Sequence, residues 1–175
     1  MAAGALDDTG GNRQPTGEVS VVAKHGSLLD EVVAALIDTL ASLRGQHVFI
    51  SYSDDRGLTQ SPPVKINAEP EDILGDGENR PKIIVHKGVV YVSYTQGLAK
   101  PTTGNIRFSR STDGGKSFSA PLTVNDNREI ISHRFDSMVV NGKGHVYIAW
   151  LDKRDLSAAQ KKGEKYSGAS VYYAM

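Results

Sequence analysis

Apolar residues along most of the chain either alternate with polar ones or gather in short runs bounded by Gly, Asp, Asn and Ser. This is the pattern of β-strands separated by turns. Val48–Tyr52 and Val64–Asn67 form one such pair, and Pro81–Asn125 holds four strands, with Thr95–Gly104 as the loop between the second and third. Within it, Lys82–Tyr94 is a hairpin turning at Lys87-Gly88. Ser137–Trp150 is a second hairpin, turning at Asn141–Gly144, preceded by a connection over 128–137. A polar loop over 152–170 leads to a last strand, Val171–Met175, and Glu18–Lys24 reads as one short strand near the start. One segment departs from the β pattern. Over Ser27–Arg44 the residues Leu29, Val32, Val33, Leu36, Ile37, Leu40 and Leu43 recur at helical spacing. Ser27 and Asp30 form a capping signal and Gly45 a stop, so the spacing predicts an amphipathic helix.

The stretch that organises the rest is Gly104–Asn125. At its centre lies Ser111-x-Asp113-x-Gly115-x-x-Phe118, flanked by Ile106–Ser109 and Pro121–Val124. Asp113 can accept backbone N–H groups a few residues on, Gly114-Gly115 allow positive φ, and Phe118 can anchor the returning strand. Shifting the sequence by 58 positions lays Val48–Asn67 over Ile106–Asn125. Seven residues are then identical: Ser51, Ser53, Asp55, Gly57, Ser61, Pro63 and Asn67. The earlier copy has Gln60 where Phe118 stands, which predicts a less firmly anchored hairpin.

The octet resembles the Asp-box, or BNR repeat, of sialidases and related β-propellers, over about residues 46–175. The resemblance implies an all-β fold: a partial sialidase-like, six-bladed propeller of about two to two and a half four-stranded antiparallel blades, with the predicted helix N-terminal to it. Its blade parts are 46–67, 80–125 and 133–175, and the chain is expected to stop in mid-blade, as a fragment with open sheet edges through which it could self-associate. Residues 1–18 read as a flexible lead. The strand plus helix over 19–45 fits no blade, and reads either as a packing helix or as a segment foreign to the propeller.

Composition narrows the partners. Twenty basic and twenty acidic residues leave no net charge, so there is no basic field for nucleic acid. There is no cysteine, no apolar run long enough for a membrane span, and no visible signal peptide, although proteins of the resembled family are often secreted or periplasmic. No cofactor or metal is expected.

Strand alternation puts the octet turns on one rim of the blades. Asp76, Glu78, Asn79, Arg80, the loop 95–103, His133, Arg134, Asp136 and 152–155 fall on the other. In the resembled family that second rim holds the substrate, where arginines clamp a sugar carboxylate through paired hydrogen bonds. Arg80-Pro81 looks like a degenerate version of the family's arginine motif, and Arg134 starts the next blade. Candidate substrate-binding residues are therefore Arg80, Arg134, Asp136, His133, Asp152 and Arg154. Ser53, Asp55, Gly57, Ser111, Asp113, Gly115 and Phe118 are structural. The plainer alternatives are that Arg80 and Arg134 pair with Glu78 and Asp136 as struts, that Asp152, Arg154 and Asp155 form a solvated, mutually paired loop, and that His133 is solvated. Tyr91, Tyr147 and Trp150 read as packing residues.

The family's tyrosine nucleophile and third arginine map to nothing in this chain. The resemblance thus implies a fragment of a glycan-acting, exo-α-sialidase-type glycoside hydrolase, inactive alone. The alternative is a non-catalytic propeller that binds carbohydrate or protein.

Overall fold

The computed structural model describes residues 19–24, 32–39, 44–53, 58–75 and 79–175, with side chains from residue 46 onward. Three antiparallel meanders follow one another. The first is β1 (Val19–Lys24), β2 (Val32–Thr39), β3 (Arg44–Ser53) and β4 (Val64–Lys65). The second is β6 (Lys82–His86), β7 (Val89–Gly97), β8 (Gly104–Ser111) and β9 (Leu122–Thr123), reached through the short β5 (Ile73–Leu74), which pairs with both β3 and β7. The third is β10 (His133–Val140), β11 (Val146–Asp152) and β12 (Ser170–Ala174).

Two expectations are corrected. Residues 32–39 form β2, not part of a helix, and Gly45 lies inside β3 instead of ending one. Val32, Val33, Ile37 and Thr39 are β-branched and lose side-chain freedom in a helix. A strand here also pairs on both sides, Val32 with Lys24 and Ser53, Leu36 with Val19 and Phe49. The rest of the predicted helix, the lead 1–18, Asp55, Gly57, Asp76 and Glu78 lie outside the described residues. The second correction is that the polar loop after β11 contains helix α1 (Arg154–Lys162). Leu156, Ala158, Ala159 and Gln160 are good helix formers, Asp155 and Lys161-Lys162 complement the helix dipole, and Gly163 ends the helix in the left-handed conformation.

The buried apolar residues form two clusters. Val90, Val92 and Tyr94 pack with Val48, Ile50, Ile66 and Ile73 between the first two meanders. Ile106 packs with Ile148 and Trp150 between the second and third, and Phe108, Met138 and Tyr172 close that cluster. The acidic connection before β6 is tied down at Glu71. Its carboxylate accepts from Arg107 Nη2 at 2.8 Å and from the buried Tyr94 hydroxyl at 3.0 Å.

The turn after β8 is closed by the side chains that the octet supplies. Ser111 Oγ donates to Asp113 Oδ1 at 2.6 Å and accepts the Gly115 N–H at 2.8 Å. Asp113 Oδ1 also takes the N–H groups of Lys116 and Ser117, both at 3.0 Å, and Oδ2 takes the Ser117 hydroxyl at 2.6 Å. The Ser111 hydroxyl first, then the Ser117 donors, hold the Asp113 carboxyl well below the usual carboxylate range. Gly114 and Gly115 have φ of 73° and 92°, which a side chain would strain. Phe118 packs onto the first core cluster, whereas Gln60 is exposed.

The 58-residue repeat is also written in backbone bonds. Asn67 Oδ1 accepts from Val48 N at 2.8 Å, and Asn125 Oδ1 accepts from Ile106 N at 2.9 Å. The paired carbonyls behave alike: Ile66 N donates to Val48 O and Val124 N to Ile106 O. The two amide groups donate onward to the carbonyls of Glu69 and Asn127. Ser61 and Tyr52 exchange backbone and hydroxyl bonds as Ser119 and Arg110 do. Both asparagines are fully buried, as are Val48 and Ile106. Asn125→Ala therefore leaves the Ile106 N–H buried without its acceptor, and is expected to cost about 1–3 kcal/mol in urea denaturation. Asn105→Ala, which removes only a side-chain acceptor, is expected to cost less.

Candidate ligand-binding rim

Successive strands reverse direction, so the starts of β6, β8 and β10, the ends of β7 and β11 and the start of α1 share one edge. A parallel bridge between Gly104 and Ser132 draws the second and third meanders together there, and Lys153 N donates to Ser132 O at 3.0 Å. The approach needs glycine at 104. A Cβ would lie 2.8 Å from Thr95 Cγ2 and 2.9 Å from the Gln96 carbonyl.

Three of the candidate residues meet in one buried cluster. His133 opposes Asp152 across β10 and β11, and His133 Nδ1 lies 2.9 Å from Asp152 Oδ2, both side chains fully buried. Trp150 Nε1 donates to the same oxygen at 2.9 Å and Arg154 Nη2 at 2.8 Å, while Asp152 Oδ1 takes the Arg154 N–H at the start of α1. Arg154 reaches on to Asp126 at 2.7 Å, and its guanidinium stacks 3.9 Å from the Tyr172 ring centroid. Burial pushes the Asp152 carboxyl up. The donors from Arg154, Trp150 and His133 together outweigh it, leaving the group at about 2. Asp152 and His133 are thus not solvated: they are buried against each other across β10 and β11, with Trp150 and Arg154 bonded to the carboxylate. An aspartate that already satisfies four donors is a brace for the rim, poorly suited to delivering a proton.

The second cluster lies between β10 and the second meander. Asp136 is buried and accepts the Ser93 hydroxyl on Oδ2 at 2.5 Å, while Oδ1 has no hydrogen-bond partner among the described residues. Burial raises its pKa, against the Ser93 bond and the Lys82 charge, which lower it. Arg134 is 8% exposed. Its Nε donates to Asn79 Oδ1 at 3.4 Å, and the Phe135 N–H approaches that oxygen at the same distance. Arg80 follows Asn79 in the chain and is exposed, its carbonyl accepting from Lys82 Nζ at 2.5 Å. The segments of Arg80 and Arg134 therefore meet at Asn79. His133, Asp152 and Arg154 form the neighbouring group on the far side of β10. Trp150 and Tyr91 are packing residues as expected, and Trp150 is a donor as well.

No protein-family profile matches the chain, and neither does any curated protein. Among solved structures, the α-L-arabinanase of Penicillium chrysogenum complexed with arabinobiose matches 82% of this chain and 40% of its own, with TM-score 0.54 and 13% identity. The likeness is one of fold: an antiparallel, partial propeller-like architecture. A protein of unknown function from Dyadobacter fermentans (TM-score 0.47, 15% identity, 71% of this chain and 31% of that one) and a xylan β-1,4-xylosidase from Bacillus halodurans (TM-score 0.28, 11% identity, 78% and 38%) are more distant. The chain thus spans well under half the length of the structures it resembles. The sialidase-like frame expected from the octet is met only at a coarser level, an antiparallel all-β, propeller-like architecture with one described helix. Among the described residues no helix is long and apolar enough to cross a membrane.

The brace has a pH signature. The folded Asp152 carboxyl sits at about 2, below its ordinary 3.8, so its stabilising contribution is full above about pH 4 and lost as pH falls toward 2. Urea denaturation at about pH 5 and pH 3 is expected to show a steeper acid loss for the unmodified chain than for Asp152→Asn, which starts less stable. Equal slopes would remove the brace.

Proposed function

We propose that this chain is the sugar-facing part of an Asp-box β-propeller glycosidase, holding its glycan at the rim where Arg80 is exposed, with Arg134 and Asp136 buried behind it and His133, Asp152 and Arg154 as the brace beneath. The observation that carries this reading is the division of labour between the two edges of one meander. At one edge a Ser-Asp-Gly turn is closed upon itself with its polar groups satisfied. At the other, the Arg134 side chain and the Phe135 N–H of the third meander converge on Asn79, just before the second begins. The fold shared with an arabinanase supports a saccharide as the ligand. The finer reading, a sialidase-type frame of six blades with arginines matched to an acidic sugar, is supported by the octet and by two arginine-bearing segments meeting at one amide.

A second reading, binding without hydrolysis, is favoured by one specific observation. Asp152 is held ionised by its own donors and Asp136 is buried against Ser93, so neither carboxylate stands ready as an acid or nucleophile. The chain by itself therefore binds and does not cleave. Calorimetry with sialyllactose and arabinobiose should give saturable binding to at least one, weakened about tenfold by Arg80→Ala, a change of about 1.4 kcal/mol. Fluorogenic sialosides and arabinofuranosides should release nothing. Failure to bind either sugar would contradict the carbohydrate reading, and release of the fluorophore would contradict the absence of hydrolysis.

A further inference from the structure

Resting on the carbohydrate reading, we propose that Phe135 is an aromatic platform on which the C–H face of a sugar ring stacks at this rim. Over residues 133–136 the usual polarity of a strand is inverted. His133, Arg134 and Asp136 are buried, while the phenylalanine among them is 38% exposed. A large aromatic turned outward amid buried charges is the less stable arrangement unless something covers it.

The backbone is built to produce that inversion. Phe135 has φ of 59°, a conformation that strains any residue with a bulky side chain, and the β10–β11 register slips between Arg134 and Ser137. The bulge re-aims the ring from the sheet toward the rim. Strain of this kind persists where surrounding contacts over-determine it, and such sites gather at ligand clamps. Here the contacts are Asn79 Oδ1, shared by the Phe135 N–H and Arg134 Nε at 3.4 Å each, and the Arg134 guanidinium, 5.0 Å from the ring centroid. Because Arg134 is only 8% exposed, the ring lies outside and the guanidinium beneath, which fixes the ring's orientation before any ligand arrives.

The chemistry around the ring selects the ligand class. The exposed, cationic Arg80 follows the Asn79 that holds the Phe135 N–H, so a guanidinium stands near one apolar surface, the mixture that suits a saccharide. A protein partner would instead be met by a desolvated cluster of several anchors.

The test uses Phe135→Gly and Phe135→Trp in the whole chain, with binding read by saturation-transfer NMR on arabinobiose, sialyllactose and digalacturonate. Glycine relieves the positive φ and removes the ring. It is expected to leave Tm equal or about 2–4 °C higher while weakening binding about tenfold. Tryptophan keeps the stacking surface and is expected to bind at least as tightly as phenylalanine. Affinity retained in Phe135→Gly overturns the platform alone. A Tm that falls with the affinity assigns the ring to packing and also overturns it. Absence of binding by the unmodified chain to all three sugars overturns the carbohydrate reading, and the platform with it.

Discussion

A buried amide closes each of the first two meanders, and the rest of the arrangement depends on it. β3 and β8 are long, but their outer partners β4 and β9 are two residues each, so the long strands run on past the end of the ladder. At Val48 and Ile106 the chain is in the core and each N–H must find an acceptor. Asn67 and Asn125 supply it from just beyond the short strands. Their amide nitrogens then fix the departing chain toward the next meander, through Glu69 and Asn127. The direction in which each connection leaves, and hence where β6 and β10 begin, follows from that bond.

The rim inherits its geometry from those departures. β10 starts where the chain leaving Asn125 crosses Gly104, with Gly104 N donating to Ile131 O at 3.1 Å. This close passage puts His133 opposite Asp152 on one side of β10, and Asp136 against Ser93 on the other. Burying these polar groups is tolerable because most of them are bonded. Asp136 Oδ1 and His133 Nε2 have no hydrogen-bond partners among the described residues, so the rim concentrates the least satisfied groups of this part of the fold.

Much of this is legible in the sequence, and the limits are physical. The octet, the 58-residue shift and the two hairpins can be read because turn chemistry is local: Ser111, Asp113 and Gly115 act within five residues. Asn67 and Asn125 stand among the seven identities, yet their role needs the partner strand nineteen residues back. The predicted helix is overturned over residues 32–39, where the apolar residues suit a helical period and a continuous apolar run alike, and only pairing with β1 and β3 decides. The helix α1 is hidden by its polar composition. Phe135 offers one signal, an aromatic between Arg134 and Asp136, and its positive φ cannot be read from residue types. His133 looks solvated because its buried partner, Asp152, comes nineteen residues later.

The most direct measurement of the central claim is native-state hydrogen exchange of the Val48 and Ile106 amides. If one recurring side-chain amide closes both meanders, the two should be protected to a similar degree, each well above the exposed loop amides near residues 60 and 100. Free exchange at Val48 beside strong protection at Ile106 would contradict it, since the two asparagines would then not be closing the same kind of unit.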